Sequence, residues 1–165
     1  MYNIIASPPI PRNEPVLNYH PSAPETAELK SALSSLLSTE TEVPVIINAK
    51  EIRTGKIEIC SVPHNHRHKL GVFHKAGTEE VRAAINGALK VAGEWADTPA
   101  ETRAAIFLKA GDLLATKYRF LLNAATMLGQ SKTCYQAEID SACELIDFYR
   151  FNVHFQHEMY AMQPL

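Results

Sequence analysis

From Thr133 to about Met159 the chain carries the pattern of one long helix with two apolar stripes. Ile139, Ala142, Ile146, Tyr149 and Val153 make one stripe, and Leu145, Phe148, Phe151 and Phe155 make the other. A helix apolar on two sides is normally packed between layers, because a stripe left in water forfeits its burial energy. Little in the rest of the chain is left to cover the second stripe. The pattern therefore implies further structure, either more chain or a partner.

The segments before it sort by period. Residues 1–23 hold five prolines with Pro24 close behind, and Val16, Leu17 and Tyr19 are apolar among them, as in an extended arm lying on something larger. Pro24 to Leu37 reads as a short helix opened by proline, with Leu29, Ala32, Leu33, Leu36 and Leu37 at helical spacing. Residues 43–75 change to strand signals: Val43 to Ile47, Ile57 to Val62, and Leu70 to Phe73, the last two separated by the polar stretch Pro63 to Lys69. From Thr78 the pattern is helical. Val81, Ile85, Ala88, Leu89, Ala92 and Trp95 share a stripe. Thr98-Pro99-Ala100-Glu101 then reads as a capping box, worth ~1 kcal/mol, that starts the next helix. Tyr118 to Leu128 is a further helix, with Gly129 placed to end it. The predicted fold class is α/β: an arm (1–23), a helix with a short β meander (24–77), and a layer of about four helices (78–165). No internal repeat is visible.

Charge and cysteine content narrow the function classes. A net charge of −2 provides no basic field for a nucleic-acid backbone. Cys60, Cys134 and Cys143 form no CxxC pair and no even framework, which favours a reducing interior. No apolar run approaches the ~20 residues that cross a bilayer. Residues 1–24 carry Arg12 as their one arginine, unlike an Arg-rich presequence.

No complete reactive site assembles from spacing alone. His64, His66, His68 and nearby His74 suggest a metal cluster, but Arg67 repels a cation and no Cys or carboxylate pair adjoins, so a polar turn is the competing reading. Cys134 lies at a helix start, where the dipole lowers a thiol pKa, yet no base is near in sequence; a packed small residue is the alternative. Glu138, Asp140, Glu144 and Asp147 line the last helix. They read either as a solvated acidic face or as an anchor for a substrate ammonium. Gly129-Gln130-Ser131-Lys132 lacks the spacing of a phosphate loop and reads as a turn.

Several stretches resemble the start of the delta-1-pyrroline-5-carboxylate dehydrogenases, a branch of the aldehyde dehydrogenases. They are Asn13-Glu14-Pro15-Val16-Leu17, Pro63-His64-Asn65-His66 with His68-Lys69, and Ala104 to Ala110. Most specific is the run from Gly129 through Gln136-Ala137-Glu138-Ile139-Asp140 to Glu144-Leu145-Ile146-Asp147-Phe148-Tyr149-Arg150-Phe151-Asn152. The resemblance extends from Asn13 to Pro164, with Ser131 in place of a glycine and His64 in place of an aromatic.

What this resemblance implies is concrete. The fold is an incomplete aldehyde dehydrogenase, with residues 24–77 contributing a β-flap through which a homodimer forms. Residues 78–165 supply helices beside the cofactor domain, the last reaching the aldehyde tunnel. The activity is oxidation of L-glutamate γ-semialdehyde to L-glutamate with NAD, in proline breakdown, in the mitochondrial matrix. The family uses a cysteine thiolate, a water-activating glutamate and an asparagine-assisted oxyanion site. These, and the cofactor-binding lysine and glycines, are expected beyond this chain, so none passes to Cys60, Cys134 or Cys143. Glu138 alone is carried over, as a substrate-side acid facing the amino group. Two functions stand open: an enzyme segment inactive by itself, and a non-catalytic truncated protein that docks on full-length subunits through its strands.

Overall fold

The computed structural model describes residues 7–162. The expected arm falls partly outside them, at residues 1–6, as does the end of the family resemblance at Pro164. The observed class is α/β.

Helix α1 (Pro24–Ser38) starts on its proline and buries Leu29 against α4 (Arg119–Gln130). The strand region is richer than three strands. Pro44 has no N–H to give a ladder, and it divides the run Val43 to Ile47 into β1 (Thr41–Val43) and β2 (Val45–Ile47). Strand β2 folds back on β3 (Lys50–Ile52) through Asn48-Ala49, both at positive φ, the two-residue turn that matches strand twist. Strand β1 instead lies parallel to β5 (Asn65–His74), which pairs antiparallel with β4 (Ile57–Val62). The sheet order is β1-β5-β4, so the connectivity is not a simple meander. Gly71 is required at the parallel pair, because a Cβ there would run into the backbone of Thr41.

The polar stretch Pro63 to Lys69 is mostly strand. Only Pro63-His64 turns, and Val62 already pairs with Asn65. Strand pairing with β4 supplies backbone partners that composition could not foresee.

Helix α2 (Thr78–Asp97) begins at Gly77, whose N–H donates to Glu80 Oε2 at 2.7 Å. The capping box expected at Thr98 does not form. Thr98 Oγ1 donates 2.8 Å to the carbonyl of Glu94 and so closes α2, and α3 (Ala100–Ala115) starts with no side-chain cap. With α2 running up to Asp97, the hydroxyl meets the last-turn carbonyls before it can reach α3. Helix α4 runs through Gly129 to Gln130, and Ser131 takes the left-handed position that ends it. Its hydroxyl is 2.7 Å from His64 Nδ1, so the two departures from the family pattern touch each other.

The last helical stretch is continuous but not uniform. It begins as α5 (Cys134–Ala137) in a capping box: Thr133 Oγ1 accepts from Gln136 N–H, and Gln136 Oε1 accepts from Thr133 N–H. A π-helical turn spans Glu138–Cys143, followed by α6 (Glu144–Ala161). The first stripe is covered: Ala142, Ile146 and Val153 are buried, and α3 packs against α6 with Gly111 facing Tyr149. The second is not. Phe148 is 54% exposed and Phe155 similarly open.

Candidate functional site

Three elements converge on the π-helical turn. Helix α4 brings Arg119 and Asn123, the turn brings Glu138 and Cys143 at its two ends, and the arm brings Glu14, Pro15, Leu17 and Tyr19. A π turn inserts a residue into the helical ladder and reorients the side chains on either side, and such turns recur at functional sites. Here it points Glu138 into the protein.

Glu138 is 0% exposed. Its Oε1 accepts from Leu17 N–H at 2.8 Å and from Arg119 Nη2 in a short charge-assisted bond. Its Oε2 accepts from the Tyr19 hydroxyl at 2.6 Å and from Asn123 Nδ2 at 2.7 Å, with Arg119 Nε at 3.4 Å. Burial alone favours the neutral acid and is the strongest single influence. The bonds from Arg119, Tyr19 and the Leu17 amide together outweigh it and hold the carboxyl below its ordinary range. Glu138 is thus a buried carboxylate, kept charged by its donors.

Arg119 is the counter-ion, itself 4% exposed. Its Nη1 donates to Glu14 Oε1 at 2.5 Å and its Nη2 to the Pro15 carbonyl at 2.7 Å. Burial disfavours its charge, but Glu138 and Glu14 more than restore it. The second oxygen of Glu14 accepts from Arg150 Nη1 at 2.5 Å. Asp147 receives Asn13 Nδ2 and the Glu14 N–H, each at 2.7 Å. The Asn123 Oδ1 is a buried acceptor with no partner among the described residues.

The chemistry this permits is limited. Burial, then the charge of Glu138, pushes the Cys143 thiol up to about 11, so at neutral pH it is a protonated packing group and no nucleophile. Burial and the bond to Glu138 likewise raise Tyr19, which stays a donor. Beside this cluster lies an open cavity of about 670 Å³ between the arm and α6. Glu14, Cys143, Asp147, Phe148, Phe151 and Phe155 line it; Glu138 stands behind that wall.

The other sequence candidates lie apart. Among the described residues no three His, Cys, Asp or Glu side chains gather as metal ligands. Cys134 is half-buried at the start of α5 and Cys60 is exposed on β4. Of the acidic set, Glu138 and Asp147 join the cluster, Asp140 pairs with Lys132 at 2.7 Å, and Glu144 is exposed. Arg119, Glu14, Asn123, Tyr19 and Arg150 were not foreseen as members. Arg119 on an apolar helix stripe was the one available signal, since a buried arginine needs an acid.

The passage from β5 to α2 does not fit the diphosphate of a nicotinamide cofactor. The strand-to-helix passage from β5 to α2 carries Gly77, but it opens on Thr78-Glu79-Glu80. Two carboxylates in the first turn oppose a diphosphate there.

Residues 49–163 match the aldehyde dehydrogenase family. Over 158 residues the chain is 50% identical to the delta-1-pyrroline-5-carboxylate dehydrogenase of Agaricus bisporus, covering 95% of this chain and 29% of that protein. It is 43% identical over 159 residues to the mitochondrial enzyme of that name from Dictyostelium discoideum, covering 96% and 28%. The crystal structure of the Mycobacterium tuberculosis delta-pyrroline-5-carboxylate dehydrogenase bound with NAD superposes with a TM-score of 0.96 at 42% identity, over 99% of this chain and 31% of that one. The chain thus spans about three tenths of the length of these relatives.

Proposed function

Since the chain belongs to the aldehyde dehydrogenase family, we propose that it is a segment of the enzyme that oxidises L-glutamate γ-semialdehyde to L-glutamate in proline catabolism. The observation that carries this reading is the match to enzymes of that one name along nearly the whole chain, in sequence and in backbone. NAD is the hydride acceptor in this proposal, held by residues outside the 165. The attacking thiolate is assigned outside them as well. Cys143, buried and protonated, is unsuited to that part.

What the chain contributes is a wall. Glu138, expected to face the substrate's amino group, is fully buried behind the cavity wall and is proposed instead as a positioning residue: it acts through the arm and Cys143, which line the cavity. The aromatic side of that cavity, Phe148, Phe151 and Phe155, suits the aliphatic body of a substrate on its way in. A homodimer through the strand region and a place in the mitochondrial matrix belong to the same proposal; the Dictyostelium relative is named mitochondrial. No helix among the described residues is long and apolar enough to cross a membrane. The division of the chain into arm (1–23), flap region (24–77) and cofactor-domain helices (78–165) is likewise proposed.

The test is an NADH assay on the complete protein that carries this segment, with the semialdehyde supplied as its cyclic imine. Oxidation to glutamate is expected, and none by the 165-residue chain alone. Turnover of simple aliphatic aldehydes without turnover of this one would remove the substrate assignment. Turnover by the chain alone would place the chemistry inside it after all. A second reading, a non-catalytic protein that docks on full-length subunits, draws on the exposed Ile46, Ile57 and Ile59 of the strands. Specific co-assembly of the chain with complete subunits is the result that would favour it.

A further inference from the structure

The arm between Asn13 and Tyr19 forms no helix and pairs with no strand. It is held by side chains, and nearly all of them are charged. Glu14 sits between two guanidiniums, Arg119 of α4 and Arg150 of α6. Asp147 takes the Asn13 side chain and the Glu14 amide, and Glu138 takes the Leu17 amide and the Tyr19 hydroxyl. Pro15 and Val16 are exposed and Leu17 is half-buried, so apolar burial is the smaller part of what seats this segment. Tyr19 adopts φ +52, a conformation disfavoured for a side chain of its size, and its bond to Glu138 holds it there.

These anchors surround one feature. Glu138 and Cys143 are the two ends of the π turn, Asp147 and Arg150 lie one and two turns beyond it, and Arg119 faces it from α4. Directly over Cys143 runs the Pro15 carbonyl, 3.7 Å from Sγ, and the thiol is 5% exposed. We propose that residues 13–19 are a charge-latched strap, with Glu14 as the latch: seated, it closes over Cys143 and stabilises the π turn; released, it opens both to solvent. Without Glu14, Arg150 keeps Asp112 at 3.7 Å and Arg119 keeps Glu138, so each cation retains a partner away from the strap. Loss of the latch therefore frees the strap and leaves the helices paired. This inference stands independently of the enzymatic reading.

Cys143 is a built-in reporter. The experiment replaces Cys60 and Cys134 with serine and follows alkylation at Cys143 itself, by peptide mass spectrometry that separates it from every other cysteine of the intact protein, under native conditions and with amide hydrogen exchange in parallel. Glu14→Gln removes one charged bond to each arginine and is expected to raise the alkylation rate about ten-fold or more. Exchange should quicken at residues 13–19 and 138–143, while that of β5 stays as before. Asp147→Ala, which takes away only the outer anchor, is expected to give a smaller increase in the same segments, and it serves if Glu14→Gln does not fold. An unchanged alkylation rate in the variant that folds overturns the proposal. So does acceleration spread equally to β5, which would make Cys143 exposure a matter of global unfolding.

Discussion

At Glu138 the balance of terms can be read from single bonds. A carboxylate taken fully out of water is costly, and removing one partner of such a buried pair is costlier than the pair itself, because the other charge is stranded. Glu138→Ala is expected to destabilise the protein by about 3 kcal/mol, roughly 6–12 °C in Tm, with Arg119 left with Glu14 as its carboxylate partner. Glu138→Gln keeps an acceptor and should cost less; thermal denaturation of both checks the order. The acid limb follows from the direction of the shift. The folded pKa lies below the ordinary 4.5, so the folded state releases the proton more readily than the unfolded one. The stability Glu138 contributes is therefore complete above about pH 4.5 and is lost as pH falls through the folded value. Urea denaturation across that range should show the gap between wild type and Glu138→Gln closing on the acid side; a constant gap would mean that the carboxylate is not held charged. The alkaline side has the opposite sign, since Cys143 is raised from 9.0 to about 11 and its contribution fades as pH rises through that window.

At the scale of elements, the caps decide where the helices begin, and two similar sequences behave differently. Thr133 accepts from the Gln136 amide and is answered by the Gln136 side chain, while Thr98 donates backward into α2. Thr133→Ala is expected to cost ~1 kcal/mol and Thr98→Ala only a few tenths. Chemical denaturation of the pair tests this, and equal losses would mean that Thr98 caps α3 in solution. The motif at 98–101 was legible but misread: a threonine, a proline and a glutamate at the right spacing serve either neighbour, and only the point where α2 ends, at Asp97, assigns the hydroxyl. The strand division at Pro44 was open to a local reading, because the missing N–H is a property of the residue itself. The parallel pairing of β1 with β5 was not, since it joins residues thirty apart in the chain.

For the whole molecule, the exposed apolar surface is the governing fact. Helix α2 buries none of its residues, and Leu89 is 68% exposed on a stripe shared with Val81, Ile85 and Trp95. Phe148 and Phe155 are open on α6 as well, so two helices turn apolar side chains to water, and apolar faces of this kind mark interaction sites. The 165-residue chain alone is expected to self-associate at micromolar concentration, and Ile85→Glu with Leu89→Glu should shift it toward monomer with its circular dichroism unchanged. Sedimentation velocity decides; a monomer at every concentration would mean that these faces tolerate water.

Periodicity was enough to determine the α/β class, the helix read at 24–37, the helical pattern from Thr78 and the doubly apolar last helix, because a face needs only its own spacing to declare itself. Glu138 could be singled out by resemblance, but not its surroundings. The tertiary structure alone decided that its oxygens turn inward to Arg119, Asn123, Leu17 and Tyr19, more than a hundred residues away in two of those cases. A buried charge takes whichever donors the packing brings to it. That choice rests on distances in space, which no local pattern along the chain records.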